Sequence, residues 1–506
     1  NDRMNKGALV MNYTGHGGEA GWAHERILSI SDINNWTNYD KMPIFITATC
    51  EFSRYDDPTR ISAGELVLLN PDGGAVALFT TARATYGSPN FELNNAMYDF
   101  MFEKKDGEYP RFGDLIRSAK NKSGGISDND RKFILLGDPA MKLVYPEKNV
   151  STLSINDVSI EDQGDTLKAL QKVTVKGQVL DASGNLQSNY NGILRPTVFD
   201  KPTKIETLVT DPDSKPFTFE LLQAKLYNGK ASIQSGEFSF SFIVPKDIAY
   251  NFGYGKISYY GNNASVDATG YYKEIIIGGY DDNIVPDENG PEIELYLNDE
   301  NFAFGGVTDE NPVLLAYVSD SSGINTVGTG IGHDIVATLD GDNNKSVIIN
   351  DYYESDVDSY TSGVIQYPYN SLEKGTHTLE LKVWDVHNNS SESMTEFVVA
   401  ESAELAIEHV LNYPNPFTTS TDFYFDHNQP NTMLDVQVQI YTVSGRLIKT
   451  IDEIVMTNGY RSDPIHWDGL DDFGDRIGRG VYIYKLRVRS NDGTYAEKLE
   501  KLVIMR

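Results

Sequence analysis

Over residues 1–148, short continuous apolar runs alternate with stretches whose apolar residues recur at intervals of three and four. "GALVMNY", "PIFITATC" and "GAVALFTTA" have the unbroken apolar character of parallel strands covered on both faces. Between them, "SISDINNW" with Ser31 or Asp32 as its cap, "AGELVLLN" and "FELNNAMYDFMFEK" predict helices. This alternation predicts an α/β layer with helices on both faces of a sheet.

After "LGDPAMKLVYPEKNV" the helical pattern stops. Residues 149–288 carry "KVTVKGQVLD", "FTFELLQAKLY", "GEFSFSFIV" and "GKISYYGNN", which have strand composition with turn residues at short intervals. "GGYDDNIVPDENGP" reads as a linker. A second β unit spans 289–402, and its short, regularly spaced strands predict a sandwich. The third, 403–506, shows period-two alternation in "VQVQIYT" and "YIYKLRV", with Gly445, Gly469 and Gly480 at turns.

Composition narrows the function. At 506 residues the chain needs several cores. A formal charge of −30 and the lack of a basic stripe argue against nucleic acid as a partner. One cysteine excludes an internal disulfide framework and a cysteine-rich zinc site. There is no run of membrane-spanning length, and the opening "NDRMNKGALVMNYTGHGG" lacks the apolar core of a secretion signal.

Candidate chemistry lies at the predicted strand ends, since ligands of open α/β sheets bind beyond the carboxyl ends of strands. "VMNYTGHGG" puts His16 just past one strand, and "IFITATC" ends the next at Cys50. If the strands are neighbours, an imidazole and a thiol emerge on one rim, as a cysteine nucleophile requires. Gly15, Gly17 and Gly18 let the backbone approach a bound carbonyl, so the amides of Gly17 and Cys50 form a candidate oxyanion site. The competing readings are a cysteine serving as a small core side chain and a histidine serving a turn, with His24 a rival. No metal site is expected: His16 and His24 lack the spacing of a helical zinc pair.

"YTGHGG", followed by an apolar strand ending Ala-x-Cys, then "NPDGGAVALFTTARATYGSPN" and "FILLGDPAMKLVYP", resembles the caspase-like cysteine peptidases of the gingipain type. The resemblance implies His16 as catalytic base, Cys50 as nucleophile, and Tyr86 and Glu51 in the wall of the substrate pocket. The implied fold class is multidomain, a partial caspase-like α/β sandwich over 1–148 followed by three all-β sandwich domains. Gingipain-type domains carry substantial α/β sequence ahead of the histidine strand, whereas fifteen residues precede His16 here. The chain is therefore expected to be a C-terminal portion lacking strands that complete the sheet and an acidic residue that orients the histidine.

"YPNPF", "VSGRLIKTI" and "GRGVYIYKL" with the closing "EKLVIMR" resemble the C-terminal sorting domain of the Bacteroidetes type IX secretion system, with Pro414 and Pro416 at the entry to its first strand. The small sandwich modules of flagellar hook-cap proteins offer a second resemblance. Together, the two ends imply either an exported endopeptidase with a removable tail or the sortase of that system. The sortase cleaves sorting domains from cargo, joins the cargo to a lipopolysaccharide acceptor, and docks on an outer-membrane β-barrel of the PorV kind at the cell surface. A non-enzymatic surface scaffold is the reading from another class. No cofactor is called for. "YDDNIVPDEN", "VSDSSGIN" and "LDGDNN" offer oxygens of the type calcium takes, although none matches a twelve-residue calcium loop and solvated turns explain them too.

Overall fold

The three apolar runs form β1 (Val10–Thr14), β2 (Ile44–Ala48) and β3 (Ala77–Thr81), and β4 (Phe133–Leu136) follows. In this computed structural model, residues 2–505 are described except 124–127, 163–164, 211–213, 283, 329–331, 401–404, 431, 458 and 492, so the expected boundary between 402 and 403 lies outside the described residues. β1 pairs with β2 and β2 with β3, both in parallel, while β4 runs antiparallel to β3 at the edge.

Every residue of β2 and β3 is buried, because each face of the sheet carries its own helical layer. Ile44, Ile46, Ala48 and Phe79 pack with Leu93 and Met97 of the Gly87–Met101 helix and with Phe112 and Leu115 of the Phe112–Lys122 helix. On the other face, Phe45 and Leu78 pack with Ile33 of the Ile30–Asn34 helix and Ala63 and Val67 of the Ala63–Leu69 helix. The expected cap of the Ile30–Asn34 helix is corrected: Ser29, rather than Ser31 or Asp32, caps it. Ser29 accepts from the Asp32 N–H and the Asp32 carboxylate accepts from the Ser29 N–H, a reciprocal box that needs a carboxylate three residues into the helix.

The chain divides into two compact units, Asn1–Tyr145 and Pro146–Arg506, and the second is built of strands. Over 149–288 the expected sandwich is corrected to a closed barrel. Strands Lys172–Leu180, Glu237–Ile243, Ala231–Gln234, Gly192–Phe199, Lys256–Asn262, Asp267–Tyr272 and Lys148–Ile155 follow one another, and the last pairs back onto the first. Inward positions such as Val173, Val175, Phe238, Phe240, Phe242, Ile257 and Tyr259 fill it. Period-two alternation is identical in a barrel and a sandwich; closure depends on Lys148–Ile155 meeting both Lys172–Leu180 and, far along the chain, Asp267–Tyr272. Gly177 permits it, since a Cβ there would lie 2.3 Å from the Phe238 ring and 2.5 Å from the Ser151 carbonyl.

Beyond residue 288 the strands form two sandwiches. In the first, Leu314, Ala316, Val318 and Ile365 of a four-stranded sheet meet Leu379, Leu381, Val383 and Phe397 of a five-stranded one. In the second, Phe423, Phe425 and Trp467 of a three-stranded sheet meet Val436, Val438, Tyr484 and Leu486 of a four-stranded one. Two details differ from the sequence reading. Pro414 and Pro416 follow the Ile407–Tyr413 strand rather than introducing the first strand, and Gly480 begins the Gly480–Ser490 strand rather than occupying a turn. None of the helices described is long and apolar enough to cross a membrane.

Candidate active site

The register of β1 on β2 aligns the two candidate residues. Thr14 pairs with Ala48, and His16 and Cys50 each lie two residues beyond that pair on adjacent parallel strands. The Gly15 N–H donates to the Ala48 carbonyl at 3.3 Å, which ties the histidine loop to the end of β2. Gly17 lies close against Thr49: a Cβ on Gly17 would sit 2.5 Å from the Thr49 Oγ1. That hydroxyl is buried with no hydrogen-bond partner among the described residues.

The backbone around His16 is fixed and its side chain exposed. Its carbonyl accepts from the Tyr13 hydroxyl at 2.7 Å and from the Ala23 N–H at 2.8 Å. Tyr13 stacks on Trp22 with ring centroids 4.6 Å apart, and Trp22 packs on Phe45 and Phe52 of the core. Burial raises the Tyr13 hydroxyl above its ordinary pKa, so it stays protonated and donating. His24 is exposed in the turn that follows Trp22 and takes no part in this arrangement.

Cys50 is half-buried where the chain leaves β2. The next residue, Glu51, has φ +36°, a left-handed conformation that non-glycine residues rarely adopt and that turns the chain sharply at the thiol. The Glu51 N–H donates to the Arg83 carbonyl at 3.3 Å and the Ser53 N–H to the Thr81 carbonyl at 2.9 Å, so the turn is held against the extension of β3. No hydrogen bond links His16 to Cys50 among the described residues; such bonds are often long before substrate binds. The sulfur is engaged by Thr85 instead, whose N–H lies 3.5 Å, carbonyl oxygen 3.5 Å and Oγ1 4.0 Å from Sγ.

Of the two pocket candidates, Tyr86 follows Thr85 directly and is 70% exposed, with the Lys132 ammonium 5.1 Å from its ring centroid. Glu51 points its carboxylate to Arg54 at 3.6 Å, and Arg54 also binds Glu19 at 3.0 Å. The structure thus brings Cys50, Glu51, Thr85 and Tyr86 to one rim, with Gly17 against the residue before the thiol. Asn90 and Asn129, which sequence reasoning passed over, join Thr85 and Tyr86 through side-chain hydrogen bonds. Their only sequence signal is asparagine in a buried helical position, which needs partners.

In the second unit, Asp287, Asp320 and Asp385 converge with one oxygen of each within 4.8 Å of the others, and could hold a divalent cation. Two of the acidic stretches noted in the sequence supply Asp287 and Asp320. The third does not contribute: Asp340 of "LDGDNN" binds Lys345 and His377. Asp385 is fully buried, which raises its pKa, while Asn389 donates to both its carboxylate oxygens.

Residues 1–144 match the model of peptidase family C25. The chain is 22% identical over 244 residues to gingipain R1 of Porphyromonas gingivalis, an alignment covering 43% of this chain and 24% of that protein. Among solved structures, it is similar to dimeric latent PorU from Porphyromonas gingivalis, at 30% identity over 86% of this chain and 41% of that one, with a TM-score of 0.33. The Arg-specific cysteine proteinase gingipain R matches at 16% identity over 53% of this chain and 54% of that one, with a TM-score of 0.26. The chain spans less than half the length of gingipain R1 and of PorU. The first unit, Asn1–Tyr145, is thus the part of the chain that matches a cysteine-peptidase family model. The similarity to PorU extends over 86% of the chain.

Proposed function

We propose that the chain carries the nucleophile and base of a caspase-like cysteine endopeptidase that works as a sortase, cutting C-terminal sorting domains from secreted cargo and joining the cargo to a lipopolysaccharide amine. The observation that carries this reading is the register: His16 and Cys50 stand two residues past the paired Thr14 and Ala48 on adjacent parallel strands. The family C25 match over the same residues supports it.

In this reading His16 takes the thiol proton and the Cys50 thiolate attacks the carbonyl carbon of the scissile bond. The N–H groups of Gly17 and Cys50 face the developing oxyanion. The intermediate collapses to a thioester as the leaving amine of the sorting domain takes the proton from His16. An acceptor amine then attacks the thioester, gives its proton to His16, and leaves an amide in place of the original peptide bond. Tyr86 and Glu51 line the pocket for the residue before the cut. The C-terminal sandwich is retained and docks on an outer-membrane β-barrel at the cell surface.

Incubation of the protein with a cargo peptide spanning the cut and a primary amine tests the reaction, read by mass spectrometry. The expected product is the amide of the new carboxyl end with the added amine. Free acid alone would favour the endopeptidase reading, and an uncut peptide, where a separate sample of the same protein is labelled at Cys50 by an active-site trap, would favour a different substrate.

A further inference from the structure

The hydrogen bonds behind Cys50 have a direction that can be worked out from one backbone group. The Tyr86 N–H can only donate, and it donates to the Asn129 Oδ1 at 2.9 Å. That fixes the Asn129 amide with its Nδ2 toward the Asn90 Oδ1, 3.1 Å away. Asn90 must then present its own Nδ2 to the Thr85 Oγ1, at 2.8 Å. Both asparagines are buried, at 4% exposure, so water does not compete for these bonds. With Asn90 donating to it, Thr85 has its single hydroxyl proton left to give onward.

Two acceptors lie within reach of that proton, the Thr49 carbonyl at 3.2 Å and the Cys50 Sγ at 4.0 Å. The Thr49 carbonyl also accepts from the Thr81 hydroxyl at 2.5 Å, so it keeps a donor if Thr85 turns away. When sulfur holds its proton, the S–H donates to the Thr85 carbonyl at 3.5 Å and the Thr85 hydroxyl satisfies Thr49. When sulfur is ionised, it becomes the stronger acceptor, and the Thr85 N–H already points at it from 3.5 Å.

We infer that Tyr86 N–H, Asn129, Asn90 and Thr85 form a polarised hydrogen-bond chain whose last hydroxyl switches from the Thr49 carbonyl to the Cys50 sulfur when the thiolate forms. Thr85 touches the reacting atom; Asn90 and Asn129 are positioning residues. The same chain holds the backbone of Tyr86, so the nucleophile and the pocket wall are set by one network. This rests on the reading of Cys50 as the nucleophile.

Cys50 is the single cysteine of the chain, so alkylation by iodoacetamide reports on it alone. The test is the alkylation rate of the full chain as a function of pH, in the parent and in Thr85→Val, Thr85→Ser and Asn90→Asp. Thr85→Val removes the hydroxyl at constant volume, and Asn90→Asp offers a carboxylate that captures the hydroxyl proton. Both should move the profile to higher pH by about one unit and slow alkylation near neutrality roughly tenfold. Thr85→Ser keeps the hydroxyl and should follow the parent. Profiles of Thr85→Val and Asn90→Asp that coincide with the parent overturn the inference, as does a rate lowered equally at every pH, which marks a structural role alone. Alkylation needs no catalysis, so these outcomes are separate from His16-dependent labelling by a peptidyl trap, on which the nucleophile reading stands or falls.

Discussion

In Asn1–Tyr145 helices cover the sheet and its three parallel strands point their carboxyl ends the same way, whereas in Pro146–Arg506 strands cover strands and nearly every neighbour is antiparallel. Parallel strands must return through long connections, and these irregular loops present His16, Cys50, Glu51 and Tyr86 at one rim. Antiparallel strands return through tight turns, and the polar side chains there are absorbed in holding modules together. Asp247 alone accepts from Asn325 at 3.0 Å and Asn388 at 2.8 Å and binds His333 at 2.9 Å. In the proposed reaction the short unit with irregular loops carries the chemistry, while the larger one supplies packed strands.

That division can be broken by a large lesion in one unit that reaches the other. Trp467 is 1% exposed between the sheets of the C-terminal sandwich, so Trp467→Ala should cost that sandwich about 3–5 kcal/mol. Hydrogen exchange of the 433–442 and 480–490 strands would report the loss. The alkylation rate of Cys50 should stay at the parent value; a matching change would end the separation of roles.

A titration sharpens it. Burial lowers the His427 pKa to about 4, so the folded sandwich holds the ring neutral while the unfolded chain protonates near pH 6.5. The unfolded state therefore binds more protons between those values. Stability from this group is complete above about pH 6.5 and declines by about 3 kcal/mol as pH falls toward 4. Asp426 beside it works in the opposite sense, since burial raises its pKa. His427→Phe should flatten the pH dependence of exchange in the C-terminal sandwich and leave Asn1–Tyr145 unchanged.

In the first unit, Gly17→Val drives a side chain into the Thr49 Oγ1, where a Cβ alone would be 2.5 Å away. Displacement of the histidine loop should lower His16-dependent labelling of Cys50 about a hundredfold, with the exchange of the β unit unaltered. The smallest effect belongs to Asp56→Asn. Its bond to the exposed Arg83 guanidinium holds the Asp56 carboxyl below the usual carboxylate range, yet both groups face water, and the melting midpoint should not move measurably.

Much of the first unit was legible because the chain is punctuated by burial. The apolar runs ending at Tyr13, Cys50 and Ala82 mark strands, and glycines around His16 mark a loop that must pass close to its neighbour. What could not be read depends on long-range partners. The Asn129–Asn90 bond joins residues 39 apart, and neither asparagine alters a periodicity. The barrel is illegible for the same reason: Lys148–Ile155 closes on Asp267–Tyr272, and alternation does not say which strands meet. Ser29 is not legible as the cap because it ends a two-residue extended segment, Leu28–Ser29, directly before the helix, too short to show a period.

The proposed reaction has His16 and Cys50 act together on the rim of the parallel sheet. Its most direct measurement is labelling of the protein by a peptidyl acyloxymethyl ketone, followed by peptide mapping, in the parent and in His16→Ala. The expected result is modification at Cys50 in the parent, slowed at least about a thousandfold in His16→Ala, with iodoacetamide still reaching the thiol in both. Equal labelling of the two proteins would mean that Cys50 reacts without His16.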